Sequence, residues 1–465
     1  MVGKRIIGGL SIFLLCIALE VWAEEKSQEG LFEKFIVQID PSSWIPGSFK
    51  ISPDGRRIAY IVRVGGQQAV VIDGKEEKPY DAIGEGNPVF SPDSRQVAYG
   101  VRKGLKGVVV VSGSEQKPYD DIGSGKILFS PDGQRIAYGA RIGDRWTLVI
   151  DGKEGKLYDS IGSNFIFSPD SRRFAYNARI KDKRVVVVDG KEEKLYDSIG
   201  SNFVFSPDSQ HLAYAAEEGE KWFVVVDGKE GKPYQAIAAG SLTFSPDSQH
   251  LAYVAQVNDK WVMVVDGKEG TLYDGIEVDT PIFSPDSRHI AYKVIDDRRR
   301  FVVIDGREQK PYDDLLEDTP VFSPDGKRIG YGAKQGDKWF VVVDGEEGKS
   351  YDRIGYPLLF SPDSQRMAYR AGVGNKQFVV VDGKEGKVYE SISTGTPVFS
   401  PDSRHVVYVA KEGNKLFLVV DGQERKPYDF IFTPPRGGII FDSPNELRYL
   451  VIQNNGIYQV EEKIR

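Results

Sequence analysis

By residue type, the chain offers three candidates for chemistry: four histidines, a recurring set of aspartates and many tyrosines. His211, His250, His289 and His405 each stand five residues after the serine of a Ser-Pro-Asp triplet. Zinc needs three or four ligands converging at about 2.0–2.3 Å. Histidines at one position of a repeat are spread over separate copies of it, so they read as turn residues and not as a metal site. The aspartates of Ser-Pro-Asp and of the recurring Asp-Gly pairs suit calcium by type. Calcium, however, takes about six to eight oxygens from closely spaced acids, and one acid per turn does not supply them.

Nucleophilic catalysis finds no support either. The chain has no Gly-x-Ser-x-Gly elbow, and its one cysteine, Cys16, lies in the apolar stretch at the start. With the histidines assigned to the repeat, Ser–His and Cys–His pairs cannot be assembled. Nothing in the spacing singles out a carboxylate pair among the 68 acids. The expectation is a protein without enzymatic activity, cofactor or metal.

Twenty of the 23 tyrosines fall at two positions of the repeat, typified by Tyr158 and Tyr176. A binding site has no use for the same aromatic in every copy, so these are expected to pack between repeats.

The repeat itself dominates the chain. Ser-Pro-Asp begins at Ser52, Ser91, Ser130, Ser168, Ser206, Ser245, Ser284, Ser323, Ser361 and Ser400, in steps of 38 or 39 residues. A decayed copy, Ser443-Pro444-Asn445, follows. Within the copy at 203–240, Phe203-Val204-Phe205 reads as a strand A, ending in the Ser206-Pro207-Asp208-Ser209 turn. His211 to Tyr214 reads as strand B and Trp222 to Val226 as strand C. Asp227-Gly228 signals a hairpin, and Lys232 to Ile237, carrying proline and charge, reads as an outer edge strand D. Four-stranded units of about 40 residues predict an all-β fold, a β-propeller of about ten to eleven blades.

These residues also carry a resemblance. Phe-Ser-Pro-Asp-Gly/Ser-x-x-Ile/Leu-Ala-Tyr, followed by aromatic-Val-Val-Val-Asp-Gly, resembles the WD-repeat-like blades of TolB-type propellers. The match spans roughly residues 47 to 465 and implies fold. It does not imply equivalence to TolB itself, which has a globular domain before its propeller.

Residues 24–46 hold a lone strand, Leu31 to Ile39, and the tail after Ile439 offers strands A, B and C without a D. Together they predict a composite closing blade. Rings normally have four to eight blades, which favours two rings, while the even spacing, without a linker, keeps one large ring open.

Composition bounds the partners. A formal net charge of −7 gives no general attraction to nucleic acid or anionic lipid. Residues 1–23 read as a secretory signal: Lys4 and Arg5, an apolar run from Ile6 to Leu19, then Val21-Trp22-Ala23. The mature chain, 24–465, is thus expected to be periplasmic or extracellular, with no membrane span.

The A–B and C–D turns should share one face and are nearly identical throughout. The B–C turns and D–A crossings share the other face and vary. There, Arg102, Lys103, Lys106, Arg141, Arg145, Arg179, Lys183 and Arg184 make blades 2 to 4 basic, and Arg298, Arg299 and Arg300 add another basic turn. Glu277, Asp279, Glu317 and Asp318 make a neighbouring part acidic. Asn164, Asn202, Thr280 and Tyr356 should line the channel mouth. Variable loops on a rigid scaffold suit binding. The expected function is recognition of a protein or cell-envelope component through this face. The alternative is a lyase or hydrolase acting on a sugar or peptide in the channel, dependent on Asn164, Asn202 or Tyr356.

Overall fold

A computed structural model describes residues 26–28, 30–277, 281–433 and 438–464. The signal segment, Asp279 and Thr280 lie outside the described residues. The described chain is all β, with no helix among those residues.

Eleven antiparallel sheets follow one another as blades. Blade 3 is typical, with strand A at Asp121–Phe129, B at Ile136–Ile142, C at Arg145–Ile150 and D at Lys153–Glu154. Strand C is an apolar run because it is covered on both faces by neighbouring blades: Leu148 and Val149 are fully buried.

Two strand boundaries differ from the sequence reading. Strand D of blade 5 is Lys229–Glu230, starting directly after the Asp-Gly turn. Tyr234 makes only an isolated bridge to Trp222, and Ala236–Ile237 already pairs with strand B of blade 6. The proline is not the cause: strand D of blade 3 stops equally early with Leu157 at that place, and Pro427 of blade 10 lies within its strand. Strand A is correspondingly longer. In blade 5 it runs Ser198–Phe205, with a register shift between Ile199 and Phe203.

One ring forms, in place of the two that were favoured. Eleven buried clusters each join one blade to the next. The last of them sets Leu450 and Ile457 of blade 11 against Ile58 and Tyr60 of blade 1. Each junction therefore has a partner on both sides, and no sheet edge is left over to start a second ring. Blade 11 is composite: strands B and C are Glu446–Gln453 and Gly456–Lys463, and Leu31–Gln38 pairs with the latter in the place of strand D. Lys26–Gln28 adds a further strand outside it.

The tyrosines pack these junctions. Tyr119, after strand D of blade 2, meets Tyr138 of blade 3 edge-on, with centroids 6.3 Å apart. Tyr158 and Tyr176 repeat the contact at 6.2 Å between blades 3 and 4. Outside them, a Lys and Tyr of one blade reach a Glu on strand D of the next. In blades 4 and 5, Lys194 Nζ and the Tyr196 hydroxyl both donate to Glu230 Oε1, at 2.8 and 3.0 Å.

The conserved-looking turns on one face are a second lock. The Ser168 hydroxyl donates to Asp170 Oδ1 (2.6 Å) and accepts from the Arg173 N–H (2.9 Å). The Asp170 N–H donates to the Ser209 hydroxyl of the next blade at 3.0 Å. Arg173 Nε donates to Asp189 of the C–D turn (3.1 Å), while Nη1 reaches two carbonyls of blade 5. The four histidines occupy the arginine's position: His211 Nδ1 lies 2.6 Å from Asp227 Oδ2. The shorter imidazole makes the aspartate contact without the two carbonyl bonds. Arg173→His is therefore expected to cost about 1 kcal/mol and His211→Arg to gain a similar amount; urea midpoints would measure both.

These turns also set an acid limit. All ten Ser-Pro-Asp carboxyls are held below the ordinary carboxylate value, nine of them chiefly through local hydrogen bonds led by the serine hydroxyl. A carboxyl depressed in the folded state binds its proton more readily in the unfolded one, so stability rises with pH. The contribution is complete above about pH 4 and falls away as pH drops through the folded values. The urea midpoint should thus be flat in these groups' titration from pH 7 to 5 and decline below 4. Asp170→Asn should shallow that decline.

Candidate binding face

The B–C turns and D–A crossings meet on the face opposite the Ser-Pro-Asp turns. Arg102, Lys103 and Lys106 flank the exposed blade 2 turn, where Leu105 stands 88% exposed. Arg141 and Arg145 flank the same turn of blade 3, and Arg179, Lys183 and Arg184 that of blade 4. Arg298 lies in the B–C turn of blade 7, and Arg299 and Arg300 open its strand C.

Many of these charges have a structural partner. Lys106 Nζ lies 2.6 Å from Asp120, and Lys183 the same distance from Asp197. Lys260–Asp274, Lys338–Asp352 and Lys415–Asp429 are copies of this pair. Lys103 pairs with Glu115 at 2.8 Å, and that carboxyl, held by Lys103, Lys78 and the Tyr80 hydroxyl, drops to about 2. Arg145 and Arg102 sit at 3.9 and 4.0 Å from Asp159 and Asp121. Arg300 is shared between Glu277 (2.8 Å) and Asp314 (3.3 Å). Exposed pairs of this kind contribute about 0–1 kcal/mol each. Arg179 and Arg184 are exposed and, among the described residues, make no ion pair.

The predicted channel-mouth residues occupy the irregular middle of strand A. Asn164 accepts a long 3.4 Å bond from Lys126 of blade 3 and donates to the Ser201 carbonyl of blade 5. Asn202 lies beside that carbonyl in blade 5. Tyr356 is in blade 9, 44% exposed. The three residues stand in blades 4, 5 and 9. The histidines are likewise in blades 5, 6, 7 and 10, and no group of three metal-binding side chains gathers among the described residues.

A more informative set emerges when equivalent positions are compared around the ring. Where strand A first meets strand B, each blade places three side chains in a wedge facing the next blade. One comes from A, one from B and one from the start of C. In blade 3 they are Gly123, Gly139 and Trp146, whose ring lies over Gly123. Trp222, Trp261 and Trp339 hold the C position in blades 5, 6 and 8. In blade 7 the wedge is a charge cluster, in which Glu277 bonds the buried Lys293 (2.6 Å) and the more exposed Arg300. In blade 9, Arg370 uses its guanidinium on the carbonyls of Tyr356 (2.8 and 3.1 Å) and Ile392 (2.8 Å). Desolvation lowers its pKa. Blade 2 has Gly84, Gly100 and Gly107, and a cleft of about 340 Å³ opens there. Sequence reasoning did not group these positions, because strands A, B and C contribute one each and only the ladder brings them together. Aligning the first residues of strand C would have exposed Gly107 among four tryptophans.

Similarity to known proteins is confined to fold. No protein-family model matches the chain, and no curated protein matches it. Among solved structures, a eukaryotic initiation factor aligns over 71% of this chain and 94% of its own, at 14% identity and a TM-score of 0.39. TolB from Acinetobacter baumannii aligns over 47% of this chain and 64% of its own, at 18% identity and a TM-score of 0.23. The dihydro-heme d1 dehydrogenase NirN aligns over 76% and 77%, at 14% and 0.29. The chain is a β-propeller of eleven blades, with TolB and other propellers among its structural neighbours.

Proposed function

We propose that this protein is an exported, non-enzymatic propeller that binds a protein or cell-envelope component through the face of its B–C turns and D–A crossings. The contrast between the two faces carries this reading. One face repeats a single turn in ten blades, whose serine, aspartate and backbone groups bond within the turn and to the next blade. The opposite face differs from blade to blade in charge, aromatic content and shape, as a surface selected for one partner would. The amino-terminal signal-like segment supports export.

The test is capture from a cell-envelope extract by crosslinking, read by mass spectrometry. The bait is the purified protein, beside a variant with Arg102, Arg141, Arg179 and Arg184 changed to Glu. A partner held by the parent and lost by the variant is the expected outcome. Identical lists from both would overturn this assignment of the face.

A further inference from the structure

We infer that the cleft between blades 2 and 3 is a ligand site for a small planar aromatic amine, a reading that rests on the variable face being the binding face. Its size, about 340 Å³, lies in the range of small-molecule sites. Its shape follows from the repeat. At Trp146, Trp222, Trp261 and Trp339 the same wedge is filled by the chain's own indole. The contacts are known: Trp146 covers Gly123, and Trp222, Trp261 and Trp339 pack in the junction clusters that hold Ile237, Ile276 and Ile354. Blade 2 keeps the equivalents of those walls, Gly84 and Ile122, while Gly107 removes the ring. The chain cannot refill the space from that position. A Cβ on Gly107 would lie 2.7 Å from the Ile122 nitrogen. Blade 3 closes on Gly107 itself, and the open part of the cleft runs over Gly84, Gly100 and Gly123, where a flat ring supplied from outside would stack.

The rim supplies the polarity. Glu85, Arg102 and Asp121 border the cleft. Arg102 stands 4.0 Å from Asp121, and Glu85 is exposed and, among the described residues, without an ion pair. The rim therefore carries one carboxylate more than it carries cations. An ammonium attached to the ring would sit there favourably, and a carboxylate would be repelled.

Calorimetric titration of the purified protein with tryptamine, indole and indole-3-acetate tests this. Tryptamine should bind at one site per chain, indole at least tenfold more weakly and the acetate more weakly still. Gly100 lines the floor, and a Cβ there has its nearest neighbours at 3.9 and 4.0 Å. Val254 and Val409 hold this position in blades 6 and 10. Gly100→Val should therefore fill the cleft with an unchanged melting temperature and weaken tryptamine at least tenfold. Glu85→Gln, on the exposed rim, should bring tryptamine to the level of indole. No saturable heat from tryptamine, or binding that survives both substitutions, overturns the proposal. Envelope-partner capture that survives Gly100→Val while tryptamine binding is absent would sink the cleft and leave the face reading standing.

Discussion

Replacing Glu33 by alanine is expected to destabilise the protein by about 3 kcal/mol, by undoing the seam where the two ends of the chain meet. Glu33 is 7% exposed and stands on the strand that completes blade 11. Its carboxylate accepts both Lys426 Nζ, at 2.6 and 2.7 Å, and the Tyr428 hydroxyl. Removing it leaves a lysine and a buried phenol without their acceptor. The figure sits at the low end for a broken buried pair because Lys426 keeps 41% of its side chain exposed. Glu154 provides the control within the same molecule. It holds the same position in blade 3, where Lys117 is 64% exposed, so Glu154→Ala should cost less than about 1 kcal/mol. Urea unfolding followed by tryptophan fluorescence would compare the two. Equal midpoint shifts would show that the seam is no more dependent on its carboxylate than any other junction.

The second large effect is expected at Tyr138, where alanine should cost about 3–5 kcal/mol. Tyr138 is 1% exposed and packs in the junction of blades 2 and 3, with Val109, Tyr119, Ile127 and Phe129. Its truncation leaves a cavity between two sheets that are also tied above and below, so the walls cannot close on it. Tyr138→Phe keeps the ring and its edge-on contact with Tyr119, and should stay within about 1 kcal/mol. A melting curve of each variant beside the parent would decide whether shape or the hydroxyl carries the junction. A loss in the phenylalanine variant as large as in alanine would point to the hydroxyl.

The fold was legible because its signals repeat. Ser-Pro-Asp and Asp-Gly mark turns by local chemistry that needs no tertiary context, and the two tyrosine positions follow from the same period. The crossing from strand D to the next strand A was misplaced because Lys232 to Ile237 alternates well enough to pass for one strand. What divides it is pairing with a different sheet, which no local pattern records. Ring number was misjudged for a related reason. Curvature is the sum of small angles between blades, and each junction looks alike in sequence. The basic loops were legible as charges but not as pairs: Lys106 and Asp120 are 14 residues apart, and only the crossing brings them together. Gly107 was passed over because a glycine in a strand announces nothing until its ten equivalents are set beside it.

The composite blade also has a bearing on when this molecule becomes complete. Lys117 and Glu154, at an ordinary junction, are 37 residues apart along the chain, whereas Glu33 and Lys426 are 393 apart. Nine junctions, those among blades 1 to 10, can thus be made in order as successive repeats emerge, each with the neighbour just finished. The two junctions of blade 11 must wait for the final strand, Gly456–Lys463, which gives Val460 to one and Ile457 to the other. Until then the growing product is an open arc with an unpaired first blade, exposing Ile58 and Tyr60 that the ring later covers. A chain cut short by its last ten residues would keep nine sound junctions and still offer a sticky edge, so the completeness of this protein is decided at its two ends.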